Sequence, residues 1–354
     1  MNKVRVGIWG LGRAGAAMHT AEIGAHAEKF EIVAGCDTTP ERAEAFARTY
    51  KAPGYTDPAQ FLADQNIELV AVATRSLDHV RHAQAALEAG FAVLLEKPLA
   101  QSRAEAEALV EMDRKYPGKL FCRQNRRFEP AFQHVREIID SGILGKVHTI
   151  KLRRNNFSRR DDWQALLSEG GGQLNNWGPH LIDHALQFLH YRVDAVWGEL
   201  KLVAAQGDAE DSVKILIKGK DGCTVDIEIF GGAALPANVY EVYGSRGALV
   251  SADEQDLKLR YIEPDYELKP YPAKKDNPPG SGWIFADNAQ LPWRRLTIMT
   301  EPKLKVNMNS LYGCLYDTLR DGKPFPIKLE EALAVIEICD IVKSQSPIYI
   351  NLQS

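Results

Sequence analysis

The first third of the chain alternates short apolar runs with segments of helical periodicity. The runs are rich in β-branched residues and carry few charges, as strands buried on both faces of a parallel sheet do. They predict strands over 4–9, 30–36, 67–74, 91–95 and 119–123, with helices over 41–50, 57–63, 78–89 and 102–116. This alternation predicts a doubly wound parallel sheet, which binds ligands outside the carboxyl ends of its strands.

The remainder of the chain follows a different pattern, with strands in succession and helices before and after them. Strands are predicted over 146–157, 193–204, 213–218, 223–230, 239–243, 248–251 and 257–262. Helices are predicted over 130–140, within 161–189, and over 304–320 and 329–343. The period-two alternation of 223–229 leaves one face of this sheet for water or for another subunit.

These patterns predict an α/β protein of two domains. The first, over 1–122, holds the parallel sheet, and the second, over 123–354, is an α+β domain with an open, mainly antiparallel sheet. A proline-rich segment over 263–302 has little periodicity, and the sequence does not assign it a role.

Composition narrows the class of protein. Hydrophobic residues make up 45% of the chain and charged residues 25%, with a net charge of −4, so we expect a globular protein that does not bind nucleic acid. Five cysteines without a C-x-x-C pair suit reduced thiols. With no apolar leader and no apolar run of ~20 residues, we expect a cytoplasmic protein with no membrane partner.

The first predicted strand runs into a G-x-G-x-x-G motif. Gly10 allows a tight turn, Gly12 lets the backbone approach a pyrophosphate, and Gly15 lets the following helix pack closely. The loop residues predicted to contact a dinucleotide are Gly10, Leu11, Gly12, Arg13, Ala14 and Gly15. An ordinary strand–helix–strand unit without a ligand is the alternative interpretation.

The second predicted strand ends in Asp37, 22 residues after Gly15. A carboxylate there accepts hydrogen bonds from the adenosine ribose hydroxyls and repels a 2′-phosphate, which predicts NAD as the cofactor. Arg42, one helical turn further on, leaves NADP as the alternative.

A second motif lies in 170–184, where a glycine triplet precedes Asn176, His180 and His184 at intervals of four. Residues four apart share one face of a helix. The two histidines and Asp183 imitate a zinc motif, but aspartate is one methylene too short and no further ligand cluster follows, so we predict no metal. Taken alone, either histidine could be a structural hydrogen-bonding residue.

Five segments (10–15, 73–79, 96–98, 125–128 and 170–183) resemble, in order and spacing, the glucose–fructose oxidoreductase and inositol dehydrogenase family. The resemblance covers nearly the whole chain. It implies a Rossmann domain followed by an open-faced α/β domain, NAD(P) as cofactor, and sugars or cyclic polyols as substrates. It also implies a homodimer or homotetramer assembled through the outer face of the second sheet.

The resemblance also implies roles for individual residues. Lys97 corresponds to the family's lysine between nicotinamide and substrate, and His180 to its acid/base histidine. Asn176 stands where many members have aspartate. Arg75 stands where many have proline, and it would either place a cation near the cofactor phosphates or be exposed to water at the turn. Implied cofactor contacts are Thr74, Arg75, His79, Glu96 and Lys97. Predicted substrate contacts are Lys97, Arg126, Trp163 and Asn176.

We therefore expect an enzyme that transfers a hydride between a nicotinamide cofactor and a carbinol of a sugar, sugar derivative or cyclic polyol. The ordinary pKa of a histidine side chain suits His180 to accept the hydroxyl proton of the carbinol at neutral pH. Lys97 would hydrogen-bond the oxygen of the same hydroxyl and stabilise its alkoxide character. Two alternatives stay open. One is a tightly bound cofactor used for transient oxidation in elimination or glycoside cleavage, and the other is a cofactor-sensing regulator without turnover.

Overall fold

The computed structural model describes residues 2–270, 272–276, 278, 291–301 and 310–350. Its first sheet is entirely parallel, in the order β3-β2-β1-β4-β5-β6. The strands are β1 Val4–Trp9, β2 Phe30–Cys36, β3 Gly54–Tyr55, β4 Leu69–Val72, β5 Ala92–Leu95 and β6 Leu120–Cys122. The predicted doubly wound sheet is confirmed, although β3 was not predicted because two residues carry no periodicity.

Helices connect these strands. The first connection starts with a π-helical turn, Ala14–His19, followed by α1, Thr20–Gly24. The other helices are α2 Pro40–Tyr50, α3 Pro58–Leu62, α4 His79–Glu88 and α5 Arg103–Lys115. Ser102 begins α5 as predicted, because its Oγ accepts a hydrogen bond from Glu105 N at 3.3 Å.

The second sheet has eight strands among the described residues, in the order β14-β13-β12-β11-β7-β10-β9-β8. These are β7 Val147–Asn155, β8 Val193–Lys201, β9 Ser212–Gly219, β10 Thr224–Phe230, β11 Tyr240–Gly244, β12 Gly247–Ser251, β13 Asp256–Ile262 and β14 Trp293–Met299. Among the described strands of this sheet only β7 and β10 pair in parallel, so the predicted mainly antiparallel sheet is confirmed. Strand β14 lies within 263–302, where no strand was predicted, and most of that segment's centre lies outside the described residues.

The remaining helices are α6 Pro130–Asp140, α7 Gln173–Asn176, α8 Gly178–Phe188, α9 Ser310–Asp321, α10 Leu329–Ser344 and α11 Pro347–Ile350. Residues 161–189, predicted as helical, also contain two 3₁₀ turns, Trp163–Ala165 and Leu167–Glu169. The start of the helix predicted over 304–320 lies outside the described residues.

Two apolar cores support the two sheets. Side chains of α9 and α10, among them Leu311, Tyr312 and Ile336, pack into the core of the first sheet although they follow the second sheet in sequence. Other residues of α10, such as Val335 and Val342, pack into the core of the second. Helix α10 therefore joins the two halves and helps to fix the cleft between them. In the ranges given above, the helices are too short or too polar to cross a bilayer.

Candidate active site

A cleft of about 1080 Å³ lies where the carboxyl ends of the parallel strands face α7 and α8. It brings together most of the residues predicted from the sequence. Those that line it are Gly10, Gly12, Arg13, Ala14, Asp37, Thr74, Arg75, His79, Glu96, Lys97, Arg126, Trp163, Asn176 and His180. Leu11 and Gly15 do not line the cleft and are buried beneath its surface.

The glycine loop has the geometry that a dinucleotide needs. Gly10 has a φ of +98°, and a Cβ there would lie 2.5 Å from the carbonyl oxygen of Ala73. A Cβ on Gly15 would collide with the carbonyl oxygen of Gly10. At Gly12, by contrast, no atom of the described residues, its chain neighbours apart, lies within 4 Å of a Cβ position. Gly10 and Gly15 thus close the turn, and Gly12 leaves open space that fits the pyrophosphate of a dinucleotide.

Asp37 lies at the end of β2 beside this loop and is 8% exposed. Its Oδ2 accepts a hydrogen bond from Leu11 N at 2.8 Å, and its Oδ1 accepts one from Thr39 N at 2.9 Å. A carboxylate has about four lone-pair sites, so capacity remains for ribose hydroxyls. Arg42 Nη1 lies 3.5 Å from Asp37 Oδ2, and the Arg42 side chain is 55% exposed.

Lys97 and Asn176 form the contact that joins the two sides of the cleft at its centre. Lys97 Nζ donates hydrogen bonds to the backbone oxygen of Asn176 at 2.9 Å and to its Oδ1 at 3.3 Å. Burial, and then the cations of Arg126, Arg123 and Arg13, lower the pKa of Lys97 to about 8, although Glu96 opposes this shift. The peptide bond between Lys97 and Pro98 is cis.

His180 lies in the first turn of α8 and is 6% exposed. Burial lowers its pKa well below the ordinary value, and Lys97 and Arg126 add to the shift as nearby cations. Within the described part of the chain, its Nδ1 has no hydrogen-bond partner. The site therefore holds an uncharged imidazole with an unused nitrogen at neutral pH.

The sequence placed Asn176 on one helical face with His180, but the structure divides that helix. Helix α7 ends at Asn176 and α8 begins at Gly178, and the hydrogen bonds of Asn176 connect it to Lys97. The neutral amide of Asn176 thus accepts a hydrogen bond from Lys97 rather than orienting His180. The two histidines also differ, because His184 Nε2 lies 3.1 Å from the backbone oxygen of Arg126 and its ring stacks on Phe132 at 3.9 Å.

Two tryptophans, Trp163 and Trp177, line the cleft. Arg126 and Arg154 place their guanidinium groups 4.2 and 4.9 Å from the centre of the Trp177 ring. Arg126 is also paired with Glu129. Trp163 also lines the cleft, where the guanidinium of Arg75 lies 5.6 Å from the centre of its ring.

His79 and Thr74 make contacts within the first-sheet side. The His79 ring is 2% exposed, with Nδ1 2.7 Å from the oxygen of Pro98 and Nε2 3.2 Å from the oxygen of Thr74. Thr74 Oγ1 lies 2.9 Å from Nδ1 of His82, whose ring stacks on Trp9 at 4.1 Å. His79 therefore ties together the loops that follow β4 and β5.

Arg123, which no sequence motif singles out, lies directly beneath the site at the end of β6. Its guanidinium is 1% exposed and pairs with Glu22 of α1 and with Glu96 Oε1, the latter at 2.6 Å. An arginine directly after an apolar strand was the available signal, but the sequence does not show its partners. In the parts of the chain that the structure describes, no group of three potential metal ligands occurs.

This fold and cleft define an NAD-binding Rossmann oxidoreductase, and comparison with known families agrees. Residues 4–123 match the oxidoreductase family with an NAD-binding Rossmann fold, and residues 132–250 match the GFO/IDH/MocA C-terminal domain. The chain belongs to the GFO/IDH/MocA oxidoreductase family, which confirms the resemblance found in the sequence.

Individual relatives are distant. The scyllo-inositol 2-dehydrogenase (NADP(+)) IolW of Bacillus subtilis is 24% identical over 98% of this chain and 94% of that protein. The inositol 2-dehydrogenase of Rhizobium meliloti is 27% identical over 75% of this chain and 81% of that protein. The WlbA dehydrogenase of Bordetella pertussis, solved with NADH and UDP-GlcNAcA, has a TM-score of 0.76 at 20% identity over 97% of this chain and 96% of that one.

The Lys97–Asn176 contact generates a prediction about charge. In Asn176→Asp, a carboxylate would stand near Nζ, where an opposite charge raises the lysine pKa by roughly 1–3 units. Because the amine stays protonated to higher pH, its labelling by an amine-selective reagent should begin at higher pH than in the unaltered protein. Mass spectrometry of the Lys97 peptide across a pH series measures the midpoint.

Gln164→Glu is the matched control, because it adds the same charge at a side chain that lines the cleft and contacts Arg160. Its midpoint should stay close to that of the unaltered protein. An unchanged midpoint in Asn176→Asp would show that the amide does not govern the lysine.

Proposed function

We propose that the protein is an NAD-dependent dehydrogenase that transfers a hydride between nicotinamide and a carbinol of a sugar, sugar derivative or cyclic polyol. In this proposal residues 1–122 bind the cofactor, and 123–354 bind the substrate and form the oligomer. The observation that carries it is that Lys97 and an uncharged His180 line the same cleft as the glycine loop. The inositol dehydrogenases among its relatives support this substrate class.

The roles of the cleft residues follow from their positions. The glycine loop and Asp37 hold the dinucleotide, Thr74 and Arg75 lie at the end of β4, and Glu96 and Lys97 lie at the end of β5. The bound nicotinamide supplies the hydride acceptor. Arg126, Trp163 and Asn176 border the space for the substrate beside Lys97 and His180.

The proton chemistry depends on two side chains. His180 lines the cleft and is uncharged at neutral pH, so its imidazole can accept the hydroxyl proton. Protonated Lys97 donates a hydrogen bond to the same oxygen and stabilises its developing negative charge. Oxidation should therefore need neutral His180 and protonated Lys97, with activity falling as pH rises through about 8, the pKa of Lys97.

A screen of sugars and inositols with NAD, followed by the absorbance of reduced nicotinamide, tests this function. We expect turnover with at least one polyol, and His180→Ala should lower kcat by about 10²–10⁴, the usual contribution of an acid/base group. His134→Ala, which changes a partly exposed histidine on α6, is the matched control and should retain turnover.

Other outcomes of the screen distinguish the alternatives. Cleavage of a glycoside without net reduction of added NAD would favour transient oxidation by a retained cofactor. Tight NADH binding without turnover of any polyol would favour a regulator. Unchanged kcat in His180→Ala would show that the base has been misassigned.

We propose NAD rather than NADP as the preferred cofactor. Asp37 would face a 2′-phosphate, and like charges a few ångströms apart cost on the order of 1–4 kcal/mol near a protein surface. Arg42 lies close enough to offset part of this repulsion, and the Bacillus subtilis relative is named for NADP. Titration should show tighter binding of NADH than of NADPH.

Arg42→Ala separates the two contributions. It should weaken NADPH binding and change NADH binding little, because only NADPH carries the 2′-phosphate that would lie beside this arginine. Equal or tighter binding of NADPH by the unaltered protein would contradict the preference.

We propose a homodimer or homotetramer assembled through the open face of the second sheet. Arg153 lies between Asp226, Glu228 and Glu241 on this face and is only 11% exposed at its side chain. Towards one edge, Trp197 of β8 and its cross-strand neighbour Leu216 of β9 are 48% and 36% exposed. Light scattering should report a mass well above 39.4 kDa, and a 39.4 kDa particle at micromolar concentration would contradict the assembly.

A further inference from the structure

Arg75 reaches across the cleft from the turn after β4. Its guanidinium forms an ion pair with Glu169 and lies over the ring of Trp163. Both partners belong to residues 160–172, which we call the cleft wall. One arginine from the cofactor side thus contacts the substrate side at two points, a role that neither the sequence nor the proposed chemistry assigns to it.

The cleft wall is anchored to the second-sheet side. Gly172 N donates a hydrogen bond to the oxygen of Gln164 at 2.9 Å, which closes the wall upon itself. Ala209 N donates to the oxygen of Ala165 at 3.0 Å, and Leu167 N donates to Asp208 Oδ1 at 2.8 Å. The wall is therefore attached to the second-sheet side of the cleft. Arg75, by contrast, belongs to the turn after β4 in the first sheet.

Among the described residues, hydrogen bonds at the base of the wall and the Arg75–Glu169 ion pair connect the wall region to the cofactor side, and they differ in exposure. Near its base, Gln101 Nε2 donates to the oxygen of Gly170 at 3.3 Å, and Asn175 Nδ2 donates to Gln101 Oε1 at 3.1 Å, in partly buried surroundings. The Arg75–Glu169 pair has side chains that are 54% and 32% exposed. The pair can therefore open to water while the contacts at the base persist.

We propose that Arg75 and Glu169 form a latch that closes the cleft over the bound dinucleotide and slows its release. Thr74 and Arg75 line the cleft together with Lys97, and Trp163 faces them from the wall. In this proposal a cofactor lying along the ends of β1, β4 and β5 passes between these two sides as it leaves. The latch rests on the proposed function only in taking a nicotinamide dinucleotide as the ligand.

The strength of the pair limits the size of the effect. An ion pair this exposed is screened by water and salt and contributes modestly. If the ion pair adds this modest contribution to the barrier for cofactor release, breaking the pair changes the release rate about two- to fivefold. The latch is therefore a weak closure that can open each time the cofactor leaves.

A double-mutant cycle on the release of NADH tests the latch without a substrate. Stopped-flow fluorescence would follow NADH as it is displaced from the unaltered protein, Arg75→Ala, Glu169→Gln and the double variant. We expect each single variant to release NADH about two- to fivefold faster and the double variant to be no faster than either single one. Arg103→Ala, which breaks the exposed Arg103–Glu107 pair on α5, should release NADH at the unaltered rate.

Two results would overturn the latch. If the effects of the single variants multiply in the double variant, Arg75 holds the cofactor directly and Glu169 does not act through it. If neither variant changes the release rate, the ion pair has no role in retention. Failure of the proposed function would give a different result. The double-mutant cycle on NADH release would still show the expected coupling, but the screen would find no turnover of any polyol.

Discussion

The buried guanidinium of Arg123 joins the elements on which the cleft depends. It pairs with Glu22 of α1, the helix that follows the glycine loop, and with Glu96 at the end of β5. Truncating one partner of such a buried pair usually costs about 3–5 kcal/mol, because the other charge is left uncompensated. Arg123 therefore fixes the cofactor loop relative to Glu96 and, through the next residue, relative to Lys97.

The Arg123 cation also shifts the pKa values of the ionisable side chains in the cleft. Burial alone would raise the pKa of Glu96, but Arg123 holds that pKa far below its usual range, so Glu96 stays ionised. Arg123 also contributes to the lowered pKa values of Lys97 and His180. A neutral amide at Asn176 adds no negative charge that would reverse these shifts. The site thus combines a neutral imidazole with an ammonium group that loses its proton near pH 8.

Local patterns allowed most of the fold and the centre of the site to be predicted. The glycine spacing identified the turn at Gly10 and the open position at Gly12, because both depend on the backbone of a few adjacent residues. Alternating apolar runs located the parallel strands, whose carboxyl ends converge by topology. Lys97 follows one such strand, and the family resemblance paired it with His180.

What escaped prediction depends on contacts between residues distant in sequence. Arg75 and Glu169 are 94 residues apart, and Lys97 and Asn176 are 79 apart. Helical spacing assigned Asn176 to His180 because it could not show that α7 ends at Asn176. The partners of Arg123 were hidden for the same reason, and β14 lies in a proline-rich segment without clear periodicity.

Isotope transfer tests the central claim most directly. The polyol that supports turnover would be deuterated at its carbinol carbon, and the reduced cofactor would be isolated and weighed by mass spectrometry. The account predicts one deuterium in each molecule of reduced cofactor, because the carbinol hydrogen leaves as a hydride. Turnover that leaves the cofactor without deuterium, with the label retained in the product or lost to water, would contradict it.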